Sequence, residues 1–193
     1  MKLAIIDLGC ANIGAVATAF ERLGVPPTIT SDAGLISSAD RVVLPGVGSA
    51  SFAMKRIDEL DLFGCLRALR QPVLGICLGM QLLFERSEEQ DTSCLGIIEG
   101  RIARLQSRPG LPVPHMGWSR VVAQNEEQEM RSGDYFYFAH SYACLDGPNS
   151  IATADYGVPI GAVVRSGNFL GAQFHPERSG PAGARFLAGF LRS

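Results

Sequence analysis

Two short stretches carry residues whose types and spacing could do chemistry. GICLG (Gly75–Gly79) puts Cys77 between two glycines, after an apolar run and before a helix-like pattern. This is a G-x-nucleophile-x-G form at a strand-to-helix junction. Such a turn is sharp, the nucleophile's backbone is strained, and glycines let the neighbouring chain pass closely. A helix N-terminus beyond Cys77 would lower a thiol pKa and stabilise a developing oxyanion. The plainer alternative is a small buried thiol in a core.

A cysteine nucleophile needs a base, and the chain has three histidines, His115, His140 and His175. His175 lies in AQFHPE, at the end of an apolar strand. Pro176 keeps it extended. Residues two apart on an extended chain point to one side, so Glu177 can orient the His175 ring, giving a Cys–His–Glu triad. A strand end capped by His175 and Glu177 is the competing reading, and the elbow beside it favours the triad. His140 follows the aromatic strand YFYFA and can face the same site. A satisfied histidine at a strand end is the expectation there. His115, in PHMGW, reads as structural or partner-facing.

LPGVGS (Leu44–Ser49) adds a third feature. Its small turn residues expose backbone N–H groups at the C-terminal end of a strand, where open α/β sheets bind ligands. Neither GxxxxGK[ST] nor GxGxxG is present. An oxyanion donor beside Cys77 therefore fits better than a phosphate cradle, with a plain turn as the remaining reading.

The elements that must hold these residues follow from the apolar pattern. Lys2–Asp7 reads as a buried strand, Asn12–Leu23 as a helix stopped by Gly24, and PTITS as a second strand. Arg41–Gly46 is a third strand. Ser49–Leu60 and Leu62–Leu69 are helical. Pro72–Cys77 is a fourth strand, and Leu78–Arg86 is expected to be the helix after it. Alternating strands and helices mean βαβ units and a mostly parallel open sheet. From about Glu88 to Ala123 the chain is polar, with short strand-like pieces around RPGLPVP. DYFYFAHSY, SIATADYG, GAVVRSG and NFLGAQFHPE then read as added, partly antiparallel strands. A helix from about Pro181 to Leu191 follows.

At 193 residues and 47% hydrophobic content, one domain over residues 1–193 with a well-filled core is expected. Charge is nearly balanced at −2, without a basic stripe, which argues against a nucleic-acid partner. No apolar run approaches the roughly 20 residues of a membrane helix. MKLAIIDLG is too short for a signal peptide, so a cytoplasmic location is expected. The five cysteines, Cys10, Cys65, Cys77, Cys94 and Cys144, form no CxxC pair, so neither a disulfide framework nor a zinc site is suggested. Most of them are expected to be buried thiols.

Taken in order, LPGVG, GICLGMQLLFE, PHMGW, FYFAHSY and QFHPE resemble the class I (triad) glutamine amidotransferases. More closely, they resemble the glutaminase subunit of imidazole glycerol phosphate synthase. These motifs, with the opening one, cover nearly the whole chain, from Asp7 to Glu177. The resemblance implies an α/β amidotransferase fold and hydrolysis of glutamine through a Cys77 thioester, with His175 as base and Glu177 orienting it. It implies an oxyanion hole from the N–H of Leu78 and a backbone N–H of the Gly46–Val47–Gly48 loop, with Val47 and Gly48 as donors. Gln81, Glu89, Ser141, Tyr142 and Gly46 would line the glutamine pocket. No metal and no organic cofactor is implied. A separate cyclase subunit, a (β/α)8 barrel, would receive the ammonia in a heterodimer, with Asn12, Trp118, Tyr137 and Arg178 at or near the interface. Two positions depart from the family pattern. The opening motif has Leu8 and Ala11 where an aromatic and a glycine are usual, and HPE is followed by Arg178 in place of lysine. A paralogous glutaminase serving another synthase, such as a nucleotide-sugar aminating enzyme, is one alternative. A thiol-sensing α/β protein is another, and the intact HPE argues against it.

Overall fold

The computed structural model describes residues 1–9, 11–124 and 130–193. Cys10, expected among the buried thiols, lies outside the described residues. Nine strands form the main sheet. They are β1 (Leu3–Ile6), β2 (Thr28–Thr30), β3 (Arg41–Gly46), β4 (Val73–Cys77), β8 (His115–Ala123), β9 (Tyr135–His140), β11 (Ser150–Asp155), β12 (Pro159–Ser166) and β13 (Phe169–Ala172). Their order is β2-β1-β3-β4-β13-β12-β11-β8-β9. The half from β2 to β13 is parallel, and the half from β13 to β9 is antiparallel. The expected core with added antiparallel strands is therefore present, as a mixed sheet.

The parallel strands are continuous apolar runs because both faces are covered. Leu3 and Ile5 of β1 pack on one side with Phe20, Phe186 and Phe190, from the helices α1 (Ile13–Arg22) and α6 (Gly180–Arg192). Ala4 and Ile6 face the other side. There they meet Ile36 of α2 (Ala33–Ser37), Ala53 and Ile57 of α3 (Ala50–Glu59) and Leu66 of α4 (Phe63–Ala68). Each fully buried side chain of this size contributes roughly 1.5–3 kcal/mol. Asn12 and Ser49 cap α1 and α3 by accepting from the N–H groups of Ala15 and Phe52.

The helix expected over Leu78–Arg86 is not formed. α5 spans Leu78–Gln81 only, and β5 (Phe84–Ser87) follows. A run such as Leu82-Leu83-Phe84 suits a helix or a strand equally. The choice is made by β7 (Ile98–Arg104), which pairs with β5 in parallel. With β6 (Thr92–Ser93) and β10 (Tyr142–Ala143) these strands form a second, four-stranded sheet in the order β10-β7-β5-β6. Among the described residues the polar middle segment thus contains two full strands, β7 and β8, longer than the short strand-like pieces expected there, because their exposed faces interrupt the apolar pattern. The short helix α2 has no counterpart in the apolar pattern either.

Candidate active site

Three parallel strands deliver the site. Gly46 at the end of β3 is in register with Cys77 at the end of β4, and Ala172 of β13 is in register with Ile76. The three chain exits, 46–48, 77–78 and 173–177, are thereby side by side at the C-terminal edge of the sheet, where α/β folds bind ligands.

Cys77 has φ 52° and ψ −107°, a sparsely populated conformation that costs on the order of 1–3 kcal/mol. The glycines around it are needed for space. A Cβ on Gly79 would lie 1.7 Å from the Leu44 carbonyl oxygen, and one on Gly75 would lie 2.7 Å from the carbonyl of Gly79. The sequence reading of a strained elbow is therefore correct.

The Cys77 sulfur lies near one side of the His175 ring and acts on its charge. On the other, its Nδ1 is 2.8 Å from Glu177 Oε1. Burial works against the imidazolium, but the Cys77 sulfur and the Glu177 carboxylate outweigh it and raise the His175 pKa to about 10. Glu177 reaches the ring by a different route from the one expected. Pro176–Arg178 form a 3-10 turn, so the pair meets across that turn and not by strand alternation. Proline suits the first position of such a turn, since its φ is already set and it lacks an N–H to satisfy.

Cys77 lies on the wall of a cavity of about 300 Å³, near the lower end of the range for small-molecule sites. Val47, Gly48, Leu78, Gln81, Glu89, Ser141 and Tyr142 line it too, so the residues proposed for the oxyanion hole and most of those proposed for substrate share one space. Pro114, Met116, Ala139 and His140 complete the lining. Gly46, His175, Glu177 and Asn12 border a smaller recess of about 10 Å³, and Val47 lines both spaces.

A family model for "Glutamine amidotransferase class-I" matches residues 4–193. The chain belongs to the class I glutamine amidotransferase family. A protein named imidazole glycerol phosphate synthase subunit HisH, from Vibrio parahaemolyticus, is 47% identical over 98% of this chain and 97% of its own length. The protein of that name from Escherichia coli is 48% identical over 99% of both chains. Among solved structures, a glutamine amidotransferase superposes with a TM-score of 0.79 at 18% identity, covering 100% of this chain and 98% of its own. Another glutamine amidotransferase, from Thermotoga maritima, superposes with a TM-score of 0.64 at 15% identity, covering 100% of this chain and 83% of its own. At such identities the structural matches speak for the fold alone.

In this amidotransferase the helix after the nucleophile is only four residues long, so the long helix dipole expected behind Cys77 is absent. What α5 offers an oxyanion is the unpaired N–H groups of its first turn. Glu89 is fixed by the Ala50 N–H, 2.7 Å from its Oε2, at the start of α3. Burial lifts the Cys94 thiol to about 11 and the Cys144 thiol to about 12, so these two are inert packing residues.

His115 and His140 face each other across β8 and β9. Both are buried, and His115 Nδ1 is 3.2 Å from His140 Nε2. His115 stacks between Phe138 and Tyr156, which makes it structural and not partner-facing. His140 is satisfied at its strand end, as expected, yet it also lines the amidotransferase cavity. Burial lowers the His115 pKa to about 4 and, with His115 nearby, the His140 pKa to about 3.

Trp118 stands opposite Tyr137 with ring centroids 6.1 Å apart, and the Arg178 guanidinium lies 5.2 Å over the Tyr137 ring. Met116, Trp118 and Val122 are exposed on alternate positions of β8. Asn12 is exposed at the start of α1, where its side chain is also the helix cap.

Two residues of this site have no role in the sequence reading. Ser179 is buried, accepts from the Tyr137 N–H at 3.0 Å and donates to the His175 carbonyl at 2.6 Å, while the His175 N–H bonds the Tyr137 carbonyl at 2.8 Å. Gln173 is buried beside Cys77. Its position two residues before His175, just past the end of β13, is the signal that could have found it.

Proposed function

We propose that the chain is the glutaminase subunit of imidazole glycerol phosphate synthase, acting as one amidotransferase domain over residues 1–193. The observation that carries the chemistry is Cys77 on a strained elbow, near an imidazole held by Glu177, on the wall of a cavity with Gln81, Glu89 and the Ser141–Tyr142 backbone. Near-full-length identity of 47% and 48% to proteins of that name supports the pathway and partner.

L-Glutamine binds with its polar end against Gln81, Glu89 and the backbone of Ser141 and Tyr142, beside Gly46. The Glu89 carboxylate faces the α-ammonium. His175 takes the Cys77 thiol proton and sulfur attacks the amide carbon, forming a C–S bond. Charge moves to the amide oxygen, which accepts from the Leu78 N–H and from a backbone N–H of the loop at Val47 and Gly48. Collapse breaks the C–N bond while His175 gives its proton to the departing nitrogen, releasing ammonia. Water, deprotonated by His175, then hydrolyses the thioester to glutamate. This chemistry needs no metal or organic cofactor, because the thiolate and the oxyanion donors supply it.

Ammonia passes to a separate cyclase subunit of (β/α)8 fold in a heterodimer. That subunit makes imidazole glycerol phosphate and aminoimidazole carboxamide ribotide. Asn12, Trp118, Tyr137 and Arg178 belong to the face it covers, and the exposed Met116 and Trp118 give that face its apolar character. The site of action is cytoplasmic. No helix among the described residues is long and apolar enough to cross a membrane. Of the departures, Arg178 is exposed over Tyr137 on the proposed partner face, whereas Leu8 is buried in the core, and together they keep a second reading, a glutaminase feeding another synthase. Histidine prototrophy of a deletion strain would select that reading.

The test is glutamate release from glutamine by the chain, alone and with the cyclase subunit and its nucleotide ligand. The expected result is a large rise with partner and ligand that Cys77→Ala abolishes. No release under either condition, with Cys77 inert to a glutamine-analogue electrophile, would overturn the proposal.

A further inference from the structure

We propose that Gln173 is a positioning residue for glutamine hydrolysis, its amide fixing the Cys77 sulfur and the Gln81 side chain as one hydrogen-bonded unit. This rests on the glutaminase reading above. Gln173 is fully buried, and a buried primary amide is costly unless its groups are bonded. Here both ends of the side chain go to the site. Nε2 donates to Cys77 Sγ at 3.9 Å, and Oε1 accepts from Gln81 Nε2 at 3.1 Å. Its backbone N–H is held separately by the Ala162 carbonyl, so the strand does not need the side chain.

The direction of these bonds is set by the chemistry of the neighbours. The Tyr142 carbonyl can only accept, and it receives Gln81 Nε2 at 2.7 Å and His140 Nδ1 at 2.9 Å. With Nδ1 donating, a neutral His140 offers the lone pair of Nε2 to His115 Nδ1, and His115 Nε2 in turn accepts from the Ser119 hydroxyl at 2.8 Å. Gln81 therefore spends both hydrogens of its NH2 on Tyr142 and Gln173. Its Oε1 remains as the acceptor it offers the substrate. Gln173 must then turn its oxygen to Gln81 and its N–H to the sulfur. An N–H aimed at sulfur favours the thiolate over the thiol. One amide thus links the readiness of the nucleophile to the orientation of the group that grips the substrate. His175 and Gln173, two residues apart just past the end of β13, both act on the same sulfur.

The experiment uses the complex with the cyclase subunit and reads glutamate release together with the pH profile of Cys77 alkylation, resolved by mass spectrometry. In Gln173→Met, which keeps volume but removes both bonds, kcat falls about tenfold, KM rises about tenfold, and the alkylation profile moves about one unit to higher pH. In Gln173→Glu the acceptor for Gln81 is kept and the donor to sulfur is replaced by an acceptor. KM then stays within about twofold of the starting value, while the alkylation profile moves further to higher pH than in the methionine variant. A role limited to filling the core would not split kcat from KM in this way. Should the methionine variant fail to fold, Gln173→Asn, too short to span both partners, is expected to show the same changes. A folded variant with unchanged kinetics and an unchanged alkylation profile overturns the inference. So does an equal loss in both variants with the profile unmoved. If the wild-type complex releases no glutamate, the glutaminase reading is what fails. The alkylation profile still decides whether Gln173 acts on Cys77.

Discussion

The carbonyl oxygen of Leu44 occupies the space that a β-carbon on Gly79 would need, at 1.7 Å. This contact locks the end of β3 against the first turn of α5 and so sets Cys77 beside the 46–48 loop. Gly79→Ala must push backbone against backbone. It is expected to destabilise the protein by about 3 kcal/mol or more and to abolish activity. Gly64→Ala is the contrast, because that glycine is exposed in α4 with open space around it. It is expected to stabilise by about 0.5–1 kcal/mol. Urea unfolding of both variants measures the difference.

Strain at Cys77 gives a second prediction. Its φ of 52° suits glycine better than any side chain. Cys77→Gly should therefore be more stable than Cys77→Ala by about 1–2 kcal/mol, with both devoid of glutamine hydrolysis. Equal unfolding midpoints would mean that the elbow stores no strain.

The His175 pKa of about 10 depends on the Cys77 sulfur as well as on Glu177. Removing the sulfur in Cys77→Ala leaves burial opposed by the carboxylate alone. The His175 titration, followed by NMR, should move to lower pH in that variant. Because the folded value lies above the unfolded one, the stabilisation from this histidine is complete below about pH 6.5. It is lost as pH rises through about 10, and the loss should be smaller in the variant.

His115 and His140 act in the opposite sense. Their folded values, about 4 and about 3, lie below the unfolded value, so the unfolded chain binds more protons in acid. Stability is full above about pH 6.5 and falls between there and pH 5, with a slope approaching about 1.4 kcal/mol per pH unit for each histidine. His175 opposes this slope only near pH 6.5, and its contribution fades toward pH 5. Urea unfolding across it should show roughly half the slope in His140→Gln, whatever the variant's absolute stability.

Trp118 is half-exposed, and its ring meets that of Tyr137 edge-on. Trp118→Ala should change the unfolding free energy by less than about 0.5 kcal/mol. If it anchors the cyclase subunit, the heterodimer should dissociate at least tenfold more readily, since buried tryptophan anchors are worth about 2 kcal/mol or more. Calorimetric titration with the cyclase subunit reads this directly, and an unchanged affinity would take Trp118 out of the interface.

The sequence by itself determined the parallel core, the elbow and the choice of Cys77, His175 and Glu177 as the candidate triad, because these rest on local patterns. Continuous apolar runs must be covered on both faces, and a nucleophile between glycines at a strand end has few other uses. Three histidines narrowed the choice of base, and proline after His175 kept that residue extended. Only the tertiary structure decided the rest. Leu82–Phe84 became a strand because β7 pairs with β5, a contact no local pattern encodes. Glu177 meets His175 across a 3-10 turn, since the pairing depends on three-dimensional reach and not on strand alternation. Gln173, an amide in a motif that stands out for its histidine, took its place between Cys77 and Gln81 because β13 lies beside β4. Spacing along a chain sets which side a residue can face. Which partner it finds there depends on which strands become neighbours.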